Sequence, residues 1–112
     1  MDADELQAAL QAMLAQYDGP LERSQIYGIQ VLHRPGARAH DWFAGVRPGK
    51  GVAKLMLLPM KEHAGLLEGV SPALLKRKSG DALFTLRPGD EALLPELEQL
   101  LGRAFDDYVR AS

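Results

Sequence analysis

The sequence predicts an α+β fold: a two-layer domain with an antiparallel sheet of about four to five strands and the N- and C-terminal helices on one face. Three observations carry this. Apolar residues at helical spacing open and close the chain, and the middle alternates with the period of two expected of strands. Arg-Pro-Gly occurs three times, at 34–36, 47–49 and 87–89, each time beside a strand-like run. Proline presets φ for the second position of a turn and glycine supplies a positive φ for the third, so each triplet reads as a type II-like turn.

At 112 residues the chain has the length of a single domain, spanning 1–112. It holds no cysteine, which excludes disulfides, thiolate nucleophiles and cysteine-held zinc or iron–sulfur groups. The opening MDADELQAAL lacks the basic and apolar regions of a signal peptide, and no apolar run reaches the ~20 residues of a membrane span. The expected protein is cytoplasmic, with no membrane partner. The net charge is −2, yet the charges are segregated: residues 23–87 hold eleven of the thirteen Lys and Arg, and residues 1–22 hold none. Acidic terminal helices over a basic sheet would produce that pattern.

In chain order, Leu6, Leu10, Met13, Leu14 and Tyr17 make one face of a first helix, capped by Asp2 or Asp4 and stopped at Gly19-Pro20. Strands are expected at Tyr27–Arg34, Asp41–Arg47, Gly51–Met60 and Ala82–Arg87. Between the last two, Ser71-Pro72 reads as a helix start, with the Ser hydroxyl as cap and Pro in the first turn. Residues 61–69 read as another short helical turn. Leu97, Leu100, Leu101, Ala104, Phe105 and Tyr108 form the face of a closing helix. Asp90 could cap it, but Pro95 would break its ladder, so a kink or a separate first turn is expected, with the regular helix from about Leu94.

Alternation puts Leu55, Leu57, Phe84 and Leu86 on the helix-covered face. It leaves Lys54, Met56, Leu58, Thr85 and Arg87 on the other, joined by Trp42 if that residue points outward. Trp42, Lys54, Met56, Thr85 and Arg87 are therefore the candidate ligand- or partner-binding residues. An aromatic and a methionine ringed by basic residues suit a homodimer seam or a small anionic ligand.

No catalytic or metal site emerges. Gly45–Gly51 resembles a phosphate loop but is one residue short, lacks Ser or Thr after Lys50, and opens a strand. Gly69-Val-Ser-Pro-Ala approaches a nucleophile elbow without its final glycine. His33, His40 and His63 match no metal-ligand spacing; they are the only acid–base candidates should the chain be an enzyme. Lys76-Arg77-Lys78 lacks interleaved aromatics, so nucleic acid is not an expected partner.

The ordered pieces Trp42–Lys50, Leu57–Met60, Leu66–Pro72, Lys76–Gly80, Leu83–Leu86 and the Leu97–Tyr108 helix together resemble the YdhG-like domain family, a family of unknown function. The resemblance covers about residues 40–110. It implies a compact domain with a helix-flanked antiparallel sheet. Some relatives are described as frataxin-like iron chaperones, which would make iron, held by surface carboxylates, the one cofactor the resemblance suggests. The reading from the residues themselves is a non-catalytic binding or accessory domain.

Overall fold

The computed structural model describes residues 1–26, 28–37 and 41–110. Helix α1 runs Ala3–Ala15 and begins in a full capping box. The Asp2 carboxylate accepts from the Glu5 backbone N–H at 2.8 Å, and the Glu5 side chain accepts from the Asp2 N–H at 3.1 Å. Two of the helix's orphan donors are thereby satisfied.

Five strands follow: β1 Glu22–Ile26, β2 Ile29–His33, β3 Ala44–Pro48, β4 Ala53–Leu57 and β5 Leu83–Leu86. They lie side by side in chain order, and every neighbouring pair is antiparallel. Between β4 and β5 come the short helices α2 (Pro59–Glu62) and α3 (Pro72–Leu75), with a 3₁₀ turn at Ala64–Leu67. The Ser71 hydroxyl caps α3 by accepting from Leu74 N–H at 3.2 Å. A second 3₁₀ turn, Asp90–Leu93, precedes the long helix α4, Leu94–Arg110. Pro95 therefore falls in the first turn of α4, where no backbone donor is missed.

The core lies between the sheet and the terminal helices. Leu6 and Leu10 of α1, Ala53, Leu55 and Leu57 of β4, Phe84 and Leu86 of β5, and Leu97, Leu100 and Leu101 of α4 are fully buried in one cluster. Tyr17, Phe43, Phe105 and Tyr108 add an aromatic group, with Phe43 at 5.3–5.8 Å from the other three rings. No helix of the described residues is long and apolar enough to cross a membrane.

Several boundaries differ from the sequence expectation. The strand expected at Tyr27–Arg34 is the second arm of a hairpin, and β1 precedes it; Tyr27 lies outside the described residues. The strand expected to reach Met60 ends at Leu57, because Pro59 opens α2, which takes Leu58 out of the alternation. Of the three Arg-Pro-Gly triplets, Gly36 (φ 77°) and Gly89 (φ 97°) take the positive φ of a type II turn. Pro48 instead closes β3, and Gly51 supplies the positive φ (72°) before β4. Asp90 caps nothing. Its carboxylate accepts from Arg77 Nε at 2.7 Å and Nη2 at 3.1 Å, and from Arg87 N–H at 2.8 Å.

The two sheet edges are unlike. Beyond β5, Thr85 N–H donates to the Arg77 carbonyl and Ser79 N–H to the Leu83 carbonyl, both at 2.7 Å. Lys78 bridges Phe84 between these bonds. Residues 77–79 thus cover that edge. No described segment pairs with the outer edge of β1.

Candidate functional site

The outer sheet face, turned away from the helices, gathers three of the five sequence candidates. Lys54 on β4 stands directly between Arg47 on β3 and Thr85 on β5. One step along, Met56 stands between Gly45 and Leu83. Lys54, Met56, Leu83 and Thr85 are all partly exposed. Gly45 has no side chain to separate its neighbours: a Cβ there would lie 2.9 Å from Val31 Cγ1 and 3.1 Å from Met56 Cε. Met56 therefore crosses β3 toward Val31, forming an apolar strip. The Thr85 hydroxyl contacts that of Ser79 at 3.1 Å, which adds a polar border.

The centre of this face carries positive charge, with Glu22 two strands away on β1. Arg47 and Lys54 are cross-strand partners, and like charges directly opposed in an antiparallel pair destabilise it. No ion pair among the described residues involves Arg47, Lys50, Lys54 or Arg87. Arg87 follows the end of β5 and is exposed, beside the row rather than in it.

Trp42 does not join this face. It precedes β3, where Phe43 and Ala44 are both buried in the core, so alternation has not yet begun. Trp42 lines a small depression with Arg34, Leu58, His63, Asp107 and Tyr108. There the Tyr108 hydroxyl accepts from Arg34 N–H at 3.0 Å and donates to the Asp41 carbonyl at 2.8 Å. The Arg34 guanidinium lies 4.6 Å from the Tyr108 ring centroid, donates to the Tyr108 carbonyl at 2.6 Å, and pairs with Asp41 at 2.5 Å. Burial, chiefly, raises the Tyr108 phenol above its ordinary pKa. These contacts staple the stretch after β2 to the end of α4.

Beside that staple, His63 Nε2 stands 3.5 Å from Asp107 Oδ2. The distance is too long for a hydrogen bond, and Asp107 Oδ2 is a buried oxygen without a hydrogen-bond partner. The contact is electrostatic and depends on the charge of the imidazole. Both residues also line a shallow depression of about 450 Å³ with Arg103 and Glu68. Of the other histidines, His33 has Nδ1 2.8 Å from the Arg34 carbonyl, which makes Nδ1 the protonated nitrogen. His40 lies outside the described residues.

A third feature leaves no mark in the sequence. A groove of about 290 Å³ runs between α1 and β1–β3, lined by Gln11 and Leu14 on one wall and Arg23, Gln30, Leu32 and Val46 on the other. Arg23 is already engaged, donating to Asp18 at 2.9 and 2.6 Å and to Gln30 at 3.2 Å. The local signal would have been a polar strand, which hydrophobic periodicity cannot register.

Several acids of the terminal helices, the carboxylates the resemblance would offer to iron, already have partners. Asp2 and Glu5 close the capping box, and Glu91 pairs with the N-terminal amine at 3.2 Å. Glu98 accepts from Gln16, and Glu96 accepts from both Ser71 N–H and its hydroxyl. Each of these five carboxylates faces its own donor. Among the described residues no three His, Asp or Glu side chains gather in a way that could hold a metal. No family model matches the chain, and no curated protein or solved structure matches it either.

Proposed function

We propose that the protein is a non-catalytic binding domain that takes a small anionic, partly apolar ligand on the open face of its sheet. The observation carrying this reading is the Arg47–Lys54 cross-strand pair, which forms no ion pair among the described residues and borders the Met56–Leu83 strip. A pair of cations that weakens the free sheet makes sense where an anion completes it. Under this reading the protein acts in the cytoplasm, and membership in the YdhG-like family, supported by the ordered residues from Trp42 to the closing helix, is part of the same proposal.

The test is titration with octyl phosphate followed by amide chemical shifts. Saturable shifts should centre on Arg47, Lys54, Met56 and Thr85. Lys54→Glu should abolish them yet stabilise the free protein by about 0.2–1 kcal/mol, since it turns a repulsive cross-strand pair into an attractive one. Shifts confined to the α1 groove, or no saturation, would defeat the reading.

A second reading, an acid–base enzyme, draws on the His63–Asp107 contact at the edge of the larger depression. A carboxylate beside an imidazole orients it for proton transfer. Turnover of an activated ester such as p-nitrophenyl acetate, lost in both His63→Gln and Asp107→Asn, would favour it. Equal turnover in all three proteins would retire it.

A further inference from the structure

We infer that two copies of this chain associate by pairing their β1 strands antiparallel across a two-fold axis, making one continuous ten-stranded sheet. The inference starts from the unequal edges. The β5 edge is covered by residues 77–79, whereas among the described residues β1 is paired on one side only. A strand with an unsatisfied row of backbone groups is a template for another strand.

Which groups face outward follows from the neighbouring ladder. The Leu32 carbonyl accepts from Phe43 N–H at 2.7 Å, so the polar groups of Leu32 point toward β3. Its partner across the hairpin is Arg23, which therefore receives no backbone bond from β2 at that pair. The N–H and C=O of Arg23 point away from the sheet, and two residues on, those of Gln25 do the same. The remaining residues of β1 bond inward.

Several of the usual safeguards of an edge are missing. Residues 22–26 pair with β2 in unbroken register, with no bulge, and the segment contains no proline or lysine. The charge of Arg23 is held by the two oxygens of Asp18, off the edge.

Sequence and parity then select both the partner and the register. Outward groups on Arg23 and Gln25 allow a two-fold axis at Arg23, at Ser24 or at Gln25. An axis at Arg23 opposes two guanidinium groups. An axis at Gln25 pairs only residues 24–26 of each strand. An axis at Ser24 matches all five residues: Arg23 meets Gln25 of the second copy, Glu22 meets Ile26, and the two Ser24 residues face each other. No like charges are opposed, and each Arg23–Gln25 pair can form two backbone hydrogen bonds. A second copy of the chain thus satisfies the edge completely, with its own sequence as the complement.

The test uses the absence of cysteine. Facing residues of a non-hydrogen-bonded pair bring their Cβ atoms to about 4.5–5.5 Å, close enough for a disulfide after a small adjustment. Ser24→Cys should therefore crosslink under mild oxidation at least tenfold faster than Thr85→Cys, which lies on the outer face near the covered edge. Sedimentation of the wild type between micromolar and millimolar concentration should show twice the 12.3 kDa chain mass. Gln25→Pro removes one outward N–H while sparing the β1–β2 ladder, and should return the protein to monomer. Circular dichroism checks that this variant is folded; if it is not, the crosslinking comparison and the wild-type mass decide. A wild type that stays monomeric throughout, or equal crosslinking of the two cysteine variants, would overturn the inference.

Discussion

Replacing Gly45 with alanine probes the closest backbone approach in the sheet. A Cβ at this position would lie 2.6 Å from the Gln30 carbonyl oxygen, 2.9 Å from Val31 Cγ1 and 3.1 Å from Met56 Cε. The two side chains can rotate away, but the carbonyl cannot move without the strand that carries it. Strands β2 and β3 share only two residue pairs, Val31–Gly45 and Leu32–Ala44. Any retreat of Gln30 therefore acts on a short seam. Overpacking of this kind costs about 1–3 kcal/mol, which for a domain of this size lowers Tm by roughly 4–12 °C. Gly65 is the matched control, because an added Cβ there meets nothing within 4 Å and its φ is not positive. Gly65→Ala should gain about 0.4–1 kcal/mol by restricting the unfolded chain. Urea unfolding of the two variants measures both effects. Trimming Met56 to alanine alongside Gly45→Ala should not restore stability, since the carbonyl contact remains. A Gly45→Ala protein within about 0.3 kcal/mol of wild type, the error of such cycles, or rescue by Met56→Ala, would refute the backbone argument.

Three further outcomes follow from the contacts. Arg77 chiefly, and then the Arg87 N–H, hold the Asp90 carboxyl below its ordinary pKa. Its contribution is thus complete above the ordinary carboxylate range and is lost as pH falls toward the lowered value, so Asp90→Asn should flatten the acid limb of a stability–pH curve. Ser71→Ala removes both the α3 cap and the hydroxyl bond to Glu96, and should cost about 1 kcal/mol in chemical denaturation. Tyr108→Phe deletes a hydroxyl that bridges Arg34 N–H and the Asp41 carbonyl; a loss of about 1–3 kcal/mol is expected, with amide exchange quickening first near Arg34.

The parts legible in the sequence are those whose signal is local. Asp2, Ser71 and the Pro95 conflict each mark a helix start through chemistry within one turn, and the structure has all three where the residues put them. The division of β4 into Leu55 and Leu57 against Lys54 and Met56 was equally readable, because burial on one face imposes a period of two. Strand β1 was not readable: Glu-Arg-Ser-Gln-Ile is almost wholly exposed, so it has no apolar alternation to detect. The groove beside it went unread for the same reason. Trp42 shows a different failure, since parity holds only inside a strand and Phe43 enters the core one residue before β3 begins. The His63–Asp107 contact joins residues far apart in sequence through α2 and α4, a relation that only tertiary packing creates.

The strict succession of the five strands bears on how the chain reaches this state. Every strand finds its partner next to it in sequence, so the sheet can grow by successive local closures, the longest spanning residues 58–82 between β4 and β5. Helix α1 is the exception. It is made before the sheet but rests on β3 and β4, and Met1 is fastened to Gly89 and Glu91, which follow β5. On a ribosome, the apolar stripe of Leu6, Leu10, Met13 and Leu14 must wait uncovered while some forty further residues emerge, a span counted from the end of α1 at Ala15 to the end of β4 at Leu57. The nascent chain is then most exposed to wrong contacts before its middle has appeared, and a chaperone that shields short amphipathic helices would act in that interval.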